Sequence, residues 1–315
     1  MTIAIADIER AAQRIAPHAH RTPVLQSRSL DELAGCRLLF KCENFQRAGA
    51  FKFRGACNAV WSLPDEVAAR GVVTHSSGNH GAALALAART RGIPAHVVVP
   101  EGAVATKIAA IARYGASVHV CPPTLAARDA LAAQVQHDTG ATLVHPYTDE
   151  RVIAGQGTAA LELIHETNTL DALLTPIGGG GLIGGSAIAA RARLPHIAVY
   201  AAEPEGAAEA HASLRAGARV TTLVPDTIAD GLRAVLGEIN FALLRAHDVQ
   251  VLLASDAETI AAMRLIWERL KCVVEPSSAV ALAAILRHRE RFCGQRVGVI
   301  LSGGNVDLDH LPWCR

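Results

Sequence analysis

From about residue 72 to residue 301 the chain repeats one unit: a short apolar run, a turn rich in Gly, Ser or Pro, then an alanine-rich stretch with helical periodicity. Strands buried on both faces read as continuous apolar runs, so this alternation predicts a parallel sheet joined by crossover helices. Strands are expected at 72–75, 95–99, 116–120, 142–145, 172–177, 198–202 and 296–301. Helices are expected at 78–91, 104–113, 124–138, 152–166, 181–192, 206–216, 256–270 and 277–289, and MTIAIADIERAAQRI at the N-terminus has an amphipathic helix pattern. The class is α/β. No Ser- or Pro-rich linker and no solenoid-length repeat divides the chain, so any domains are interleaved.

Half of the 315 residues are hydrophobic, enough to bury a large core. A formal charge of +1, with both signs intermixed, offers no basic stripe for nucleic acid and no polybasic membrane patch; a small molecule is the expected partner. Residues 172–190, ALLTPIGGGGLIGGSAIAA, run 19 positions without a charge, about the length that spans a bilayer. Pro176 and six glycines argue instead for a buried strand, a glycine loop and a buried helix. The seven cysteines are scattered without a C-x-x-C pair, and the N-terminus lacks the basic-then-apolar order of a signal peptide, so a cytoplasmic setting with reduced, mostly buried thiols is expected.

Ligands of open parallel sheets bind beyond the carboxyl ends of the strands. Three turns there carry polar or glycine-rich sequence. In IGGGGLIGG (177–185), glycines free successive amides to point inward and a helix start adds its positive dipole end, which suits a phosphate. Gly179, Gly181 and Gly184 equally fit G-x-G-x-x-G, with Glu203 where a ribose-binding acid would stand, and tight strand-to-helix packing is a third reading. HSSGNHG (75–81) offers Ser76, Ser77, Gly78, Asn79 and His80 at a helix start, either as a substrate-carboxylate site or as ordinary capping residues. His80 has no second histidine at ligand spacing and reads as a packed residue rather than a metal ligand. LSGGNVD (301–307) puts a hydroxyl, Ser302, at a strand end, where it could face a ring nitrogen or simply form a turn.

One lysine stands apart. AFKFRG (50–55) sets Lys52 between Phe51 and Phe53. Burial there would lower its pKa and supply a neutral amine for imine chemistry, whereas the plainer reading lays the stem on a phenylalanine and leaves the head in water.

Taken together and in this order, TPVL near residue 22, KCENFQRAGAFKFRGA, THSSGNHG, VIAGQGTAALE, the tetraglycine loop, AAEP, TIADG, EPSSAV and LSGGNVD resemble the fold type II pyridoxal 5′-phosphate enzymes, in particular the serine/threonine dehydratase and serine racemase group, threo-3-hydroxyaspartate ammonia-lyases included. The resemblance implies a tryptophan synthase β-subunit-like fold of two interleaved, mostly parallel sheet domains, with residues 1–70 and 148–315 as the large cofactor-binding domain and 71–147 as the small, substrate-closing one. It makes Lys52 the lysine that holds the cofactor as an imine, flanked by Phe51, and gives Gly178, Gly179, Gly180 and Gly181 to the phosphate, Asn79 to the phenolic oxygen and Ser302 to the pyridine nitrogen. A neutral hydroxyl on that nitrogen makes a weaker electron sink than a carboxylate would, favouring quick loss of a β-substituent. Ser77 corresponds to the second acid/base of the racemases. The dinucleotide reading leaves Lys52 and the other two turns unexplained.

The same resemblance makes β-elimination of serine, threonine or 3-hydroxyaspartate the expected main reaction, with a serine or aspartate racemase as the alternative and a catalytically silent amino-acid-binding module as the reading from another class. EPEGAAE (203–209) is similar to the racemase divalent-cation site, implying Glu203, the Ala207 carbonyl and Glu209 around Mg²⁺, or Ca²⁺ or Mn²⁺; two solvated acids at a helix start are the plain alternative. Arg47, Ala48 and Ala50 depart from the nucleotide-sensitive members, so ATP activation is not expected. Residues 308–315 are too few for the regulatory domain of biosynthetic threonine dehydratases. A homodimer is expected, and Arg128 and Arg151 are candidates for recognising a second substrate carboxylate.

Overall fold

The computed structural model describes residues 3–314 apart from 104 and 223. Ten strands form two sheets: β1 (Val24–Leu25), β2 (Arg37–Cys42), β3 (Val72–His75), β4 (Ala95–Pro100), β5 (Ser117–Cys121), β6 (Thr142–Leu143), β7 (Ala172–Pro176), β8 (Ala198–Pro204), β9 (Gln250–Ala254) and β10 (Arg296–Leu301). The larger sheet has the order β1-β2-β10-β7-β8-β9, parallel except for β1 against β2. The smaller, β5-β4-β3-β6, is parallel throughout. Thirteen α-helices connect them among the described residues: α1 (Ile5–Ile15), α2 (Arg28–Ala34), α3 (Lys52–Trp61), α4 (Asp65–Ala68), α5 (Asn79–Arg91), α6 (Ala105–Arg113), α7 (Leu125–Thr139), α8 (Glu150–Thr167), α9 (Gly181–Arg193), α10 (Glu209–Ala216), α11 (Glu238–Ala246), α12 (Asp256–Leu270) and α13 (Pro276–Arg287).

All seven expected strands are present, and the last spans 296–301 as read. The eight expected helices and the N-terminal one also form, although the expected start at residue 104 lies outside the described residues. The structure adds β1, β2 and β9, and helices α2, α3, α4 and α11.

The larger sheet is covered on both faces. Along β2, Leu38 and Phe40 join a core with α2, α12 and α13, while Leu39 joins the core under α1, α8 and α9. Fully burying side chains of this size contributes about 1.5–3 kcal/mol each, so neither layer can be stripped away cheaply. The smaller sheet packs on α5, α6 and α7, and α3 lies against α5 and α8. A buried ionic network anchors α3. Fully buried Arg54 donates to Glu43 at 2.7 and 2.8 Å and to Glu162 at 2.7 and 2.8 Å, and Lys41, also fully buried, lies 2.9 Å from Glu162. Burying those charges is tolerable only because each is paired and hydrogen-bonded, and the result fixes where α3 begins.

Parallel strands deliver their carboxyl ends to one side. The turn after β3 carries Ser76–Asn79, the turn after β7 carries the glycines and β10 runs into Ser302, while the segment after β2 leads to Lys52. The glycine turn, Ser302 and the segment leading to Lys52 therefore lie at the carboxyl edge of the larger sheet, and the turn after β3 lies at the carboxyl edge of the smaller, tied to the first through Asn79 with Glu275 and Asn305.

Candidate active site

Lys52 is the first residue of α3, whose start is fastened to the third turn: the Phe51 amide donates to the Ser302 carbonyl at 2.9 Å, and Ala50 bridges Gly303. The Lys52 amine donates to the Pro146 carbonyl at 3.0 Å and sits 5.1 Å from the centre of the Phe51 ring. The residue is half-buried, but the protein packed round its amine strips it of water and lowers its pKa to about 8. The plainer sequence reading survives in part, since Lys52 does lie over Phe51, but its head is not left in bulk water.

The loop after β7 opens α9. Gly180 adopts φ +91°, which a side chain would resist, and a Cβ on Gly179 would overlap the Tyr147 ring. Asn240 donates to the Gly179 carbonyl at 2.6 Å and to the Tyr147 carbonyl at 2.8 Å, holding loop and tyrosine together. The amides of Gly178, Gly179, Gly180 and Gly181 donate to no acceptor among the described residues, although Gly179–Gly181 are buried. A row of unpaired amides at a helix N-terminus calls for an anion.

Asn79 begins α5 and has both amide atoms engaged. Its Nδ2 donates to Glu275 Oε1 at 2.7 Å, and its Oδ1 accepts from Asn305 at 2.9 Å, which leaves one N–H to aim elsewhere. Burial, followed by the charge of Asp230, raises the Glu275 carboxyl to about 8. The amides of Asn79, His80 and Gly81 make no backbone or side-chain bond among the described residues, a second helix start with unpaired donors. Ser77 and Gly78 lie half-buried in the same turn, where the Ser76 hydroxyl accepts from the Gly78 amide at 3.4 Å. His80 turns inward: it is buried, and its Nε2 pairs with the Val144 carbonyl at 3.3 Å, so only its backbone faces the turn. Ser302 is buried at the end of β10.

A cleft of about 660 Å³ reaches Gly78 and Asn79, with Lys107, Tyr114, Asp230 and Asn305 among its walls and Lys107 paired with Asp230, but Lys52, Ser77, the glycine loop and Ser302 do not line it. The two candidate arginines part here. Arg151 is committed to Asp149 at 2.9 and 2.5 Å, whereas the buried Nε of Arg128 has no partner and its charge is felt at His75 and Tyr147.

Glu203, Ala207 and Glu209 are buried. Both Glu203 oxygens accept amides of α10, from Ala210 and His211, at 2.8 Å each; Glu209 accepts from the Leu236 amide at 2.7 Å through one oxygen, and its other is buried without a partner. Desolvation raises Glu203 to about 8 and Glu209 to about 7. Neither acid is the solvated surface group of the plain alternative. Among the described residues no group of three or more His, Cys, Asp or Glu side chains converges as metal ligands.

The sequence reading missed Asn240, Tyr147, Glu275 and Asn305 as parts of this site. Glu275 lay within EPSSAV and Asn305 within LSGGNVD, stretches already singled out, but their pairing with Asn79 spans 196 and 226 residues.

A glycine loop with unpaired amides and a desolvated lysine amine lie at the carboxyl ends of strands of the larger sheet, and the chain belongs to the pyridoxal-phosphate dependent enzyme family, whose model matches residues 15–303. It is a fold type II member of the serine/threonine dehydratase and serine racemase group, an enzyme of the lyase and racemase type acting on small amino acids. It is 50% identical to a β-hydroxyaspartate dehydratase of Paracoccus denitrificans (98% of each chain) and 50% identical to a serine racemase of Arabidopsis thaliana (98% of this chain, 94% of that one). Its fold superposes on maize serine racemase with a TM-score of 0.96 at 45% identity, covering 98% of this chain and 95% of the other. Among the described residues no helix is long and apolar enough to cross a membrane.

Proposed function

We propose that this chain racemises serine and, at the same site, eliminates the β-hydroxyl of serine or 3-hydroxyaspartate to give a 2-oxo acid and ammonia. Two of the three relatives named above are serine racemases, which weighs toward the second of the two enzyme readings of the sequence, while the dehydratase keeps elimination beside it. The observation that carries the proposal is the Lys52 amine, desolvated to a pKa of about 8 and bonded to the Pro146 carbonyl, one residue before the Tyr147 that packs on a glycine loop with unpaired amides.

Bound pyridoxal phosphate supplies the carbonyl that captures the substrate amine and the ring that withdraws electrons from the α-carbon. The amides of Gly178–Gly181 take its phosphate, the free N–H of Asn79 its phenolic oxygen, and Ser302 its ring nitrogen. Lys52, neutral in a large fraction near pH 8, removes the α-proton. Ser77, in the turn after β3, corresponds to the second acid/base of the serine racemases that the chain resembles, and in that role returns a proton to the face opposite Lys52, which inverts the centre. The amides of Asn79–Gly81 hold the substrate carboxylate, and Arg128, with its unpaired Nε, receives a second one when the substrate has it.

We also propose that Glu203, Glu209 and the Ala207 carbonyl hold Mg²⁺ or a similar hard cation: the donors are all oxygen, and the buried, unpaired Glu209 oxygen is a place for it. The division into a body of residues 1–70 with 148–315 and a closing body of residues 71–147, a homodimeric assembly and a cytoplasmic setting belong to the same proposal. One panel tests the reaction: L- and D-serine, L-threonine and threo-3-hydroxyaspartate, scored for 2-oxo acid, ammonia and inverted enantiomer. Interconversion of the serine enantiomers together with 2-oxo acid formation is expected; release of neither product from any of the four would overturn the assignment.

A further inference from the structure

On the smaller sheet, away from the strand-end turns, two histidines meet across neighbouring strands. His96 on β4 and His119 on the edge strand β5 bring Nδ1 and Nε2 to 3.2 Å, with ring centres 5.4 Å apart and planes tilted by 42°. The register explains the meeting. His96 is opposite Ser117 and His119 opposite Val98, so the two imidazoles lie diagonally on one face of a parallel ladder. Both are half-buried, so both are reachable, and the strands beneath them are held by five paired positions.

A neutral pair can share one proton as a hydrogen bond; with small ring rotations that turn both lone pairs toward a shared cation, the same separation suits a metal bite. Two nitrogens at this separation, each about 2.05 Å from a shared cation, subtend about 100° at the metal, close to a tetrahedral angle. Desolvation and then the proximity of His119 lower the pKa of His96, so its ring is unprotonated and able to ligate at neutral pH. Nitrogen donors select late first-row cations over Mg²⁺ or Ca²⁺.

We propose that His96 and His119 form a two-imidazole site for a divalent transition cation of the zinc or copper type, completed by water. The cation clamps edge strand β5 to β4, and through the β5 end steadies the segment leading into α7, which carries Arg128. The site is separate from the carboxylate cation site and independent of the reaction assigned above.

The test uses the cofactor-loaded enzyme, freed of adventitious metal by dialysis against a chelator, then titrated with Zn²⁺ in excess Mg²⁺ so that oxygen sites are filled. Wild type is expected to bind one more equivalent of Zn²⁺ than either His96→Gln or His119→Gln, and saturating Zn²⁺ to raise its thermal midpoint by a few degrees more than theirs. Circular dichroism and the visible absorbance of the bound cofactor establish that both variants are folded. If wild type binds no Zn²⁺, or both folded variants bind as many equivalents as wild type, the contact is only a hydrogen bond and the proposal fails.

Discussion

The amide of Phe51 and the carbonyl of Ser302 are 2.9 Å apart, joining the residue before Lys52 to the last turn of the larger sheet across some 250 positions of sequence. With Arg54, two residues beyond Lys52, locked to Glu43 and Glu162, α3 is held both just before its first residue and at its buried face. The lysine is thereby presented from a rigid element, which is the condition for holding a reacting group within a fraction of an ångström of its target.

Ser77→Ala separates the two reactions. Loss of the second acid/base should lower serine racemisation by about 10²-fold or more, in the range of a general acid or base, while 2-oxo acid formation from L-serine persists. Chiral chromatography of the reaction mixture measures one and ammonia release the other. Equal losses in both would remove Ser77 from its proposed face.

Arg128→Ala should discriminate between substrates. A charge-assisted hydrogen bond to a second carboxylate is worth about 1.5–3 kcal/mol, so kcat/KM for 3-hydroxyaspartate should fall about tenfold to hundredfold while that for serine changes little. Arg151→Ala should not discriminate, because Arg151 is already spent on Asp149. Its effect belongs to stability, through the start of α8.

Gly179→Ala should expel the cofactor without unfolding the chain. A methyl group there overlaps the Tyr147 ring and displaces the loop that Asn240 holds. Equilibrium dialysis should show weakened retention of pyridoxal phosphate, with far-ultraviolet circular dichroism unchanged. Retention equal to wild type would mean that the glycines serve packing alone.

The buried acids give stability a defined pH dependence. Folded-state values of about 8 for Glu203 and Glu275 and about 7 for Glu209 lie above the ordinary 4.5, so between these limits the native state holds protons that the unfolded chain has released. The stability these three acids contribute is then full below about pH 4.5, declines as pH rises above it and is lost once pH has passed 7 to 8. In chelator the thermal midpoint should drop over that window, and Mg²⁺ should restore it more at pH 8 than at pH 6, since a cation binds the ionised pair. A Mg²⁺ effect independent of pH would contradict the cation site at Glu203 and Glu209.

How much of this was legible depended on the range of each signal. β10 could be read to the residue because RVGVIL is an unbroken apolar run closed by a Ser-Gly-Gly turn. β2 could not, although it is the neighbour of β10, because RLLFKC contains a lysine whose partners, Glu162 and Glu166, stand more than a hundred residues away. Helix α3 was hidden for a related reason: Gly55, Asn58 and buried Arg54 spoil its apolar stripe, and the ion pairs that compensate are non-local. Of the candidate site, the three turns drew notice as glycine-rich or polar sequence at strand ends and Lys52 by its place between two phenylalanines, while the role of each residue came only from the ordered set of motifs. Asn240 lies in an unremarkable helix and acquires its place only when α11 packs beside the loop.

The central claim is that the amine of Lys52 carries the cofactor. Borohydride reduction of the purified, cofactor-loaded enzyme, followed by proteolysis and mass spectrometry, should find a pyridoxyl-phosphate increment on the peptide containing Lys52, and Lys52→Ala should be colourless, unmodified and inactive by about a thousandfold or more. An increment on another lysine, or an unmodified Lys52 in a fully active preparation, would contradict the account.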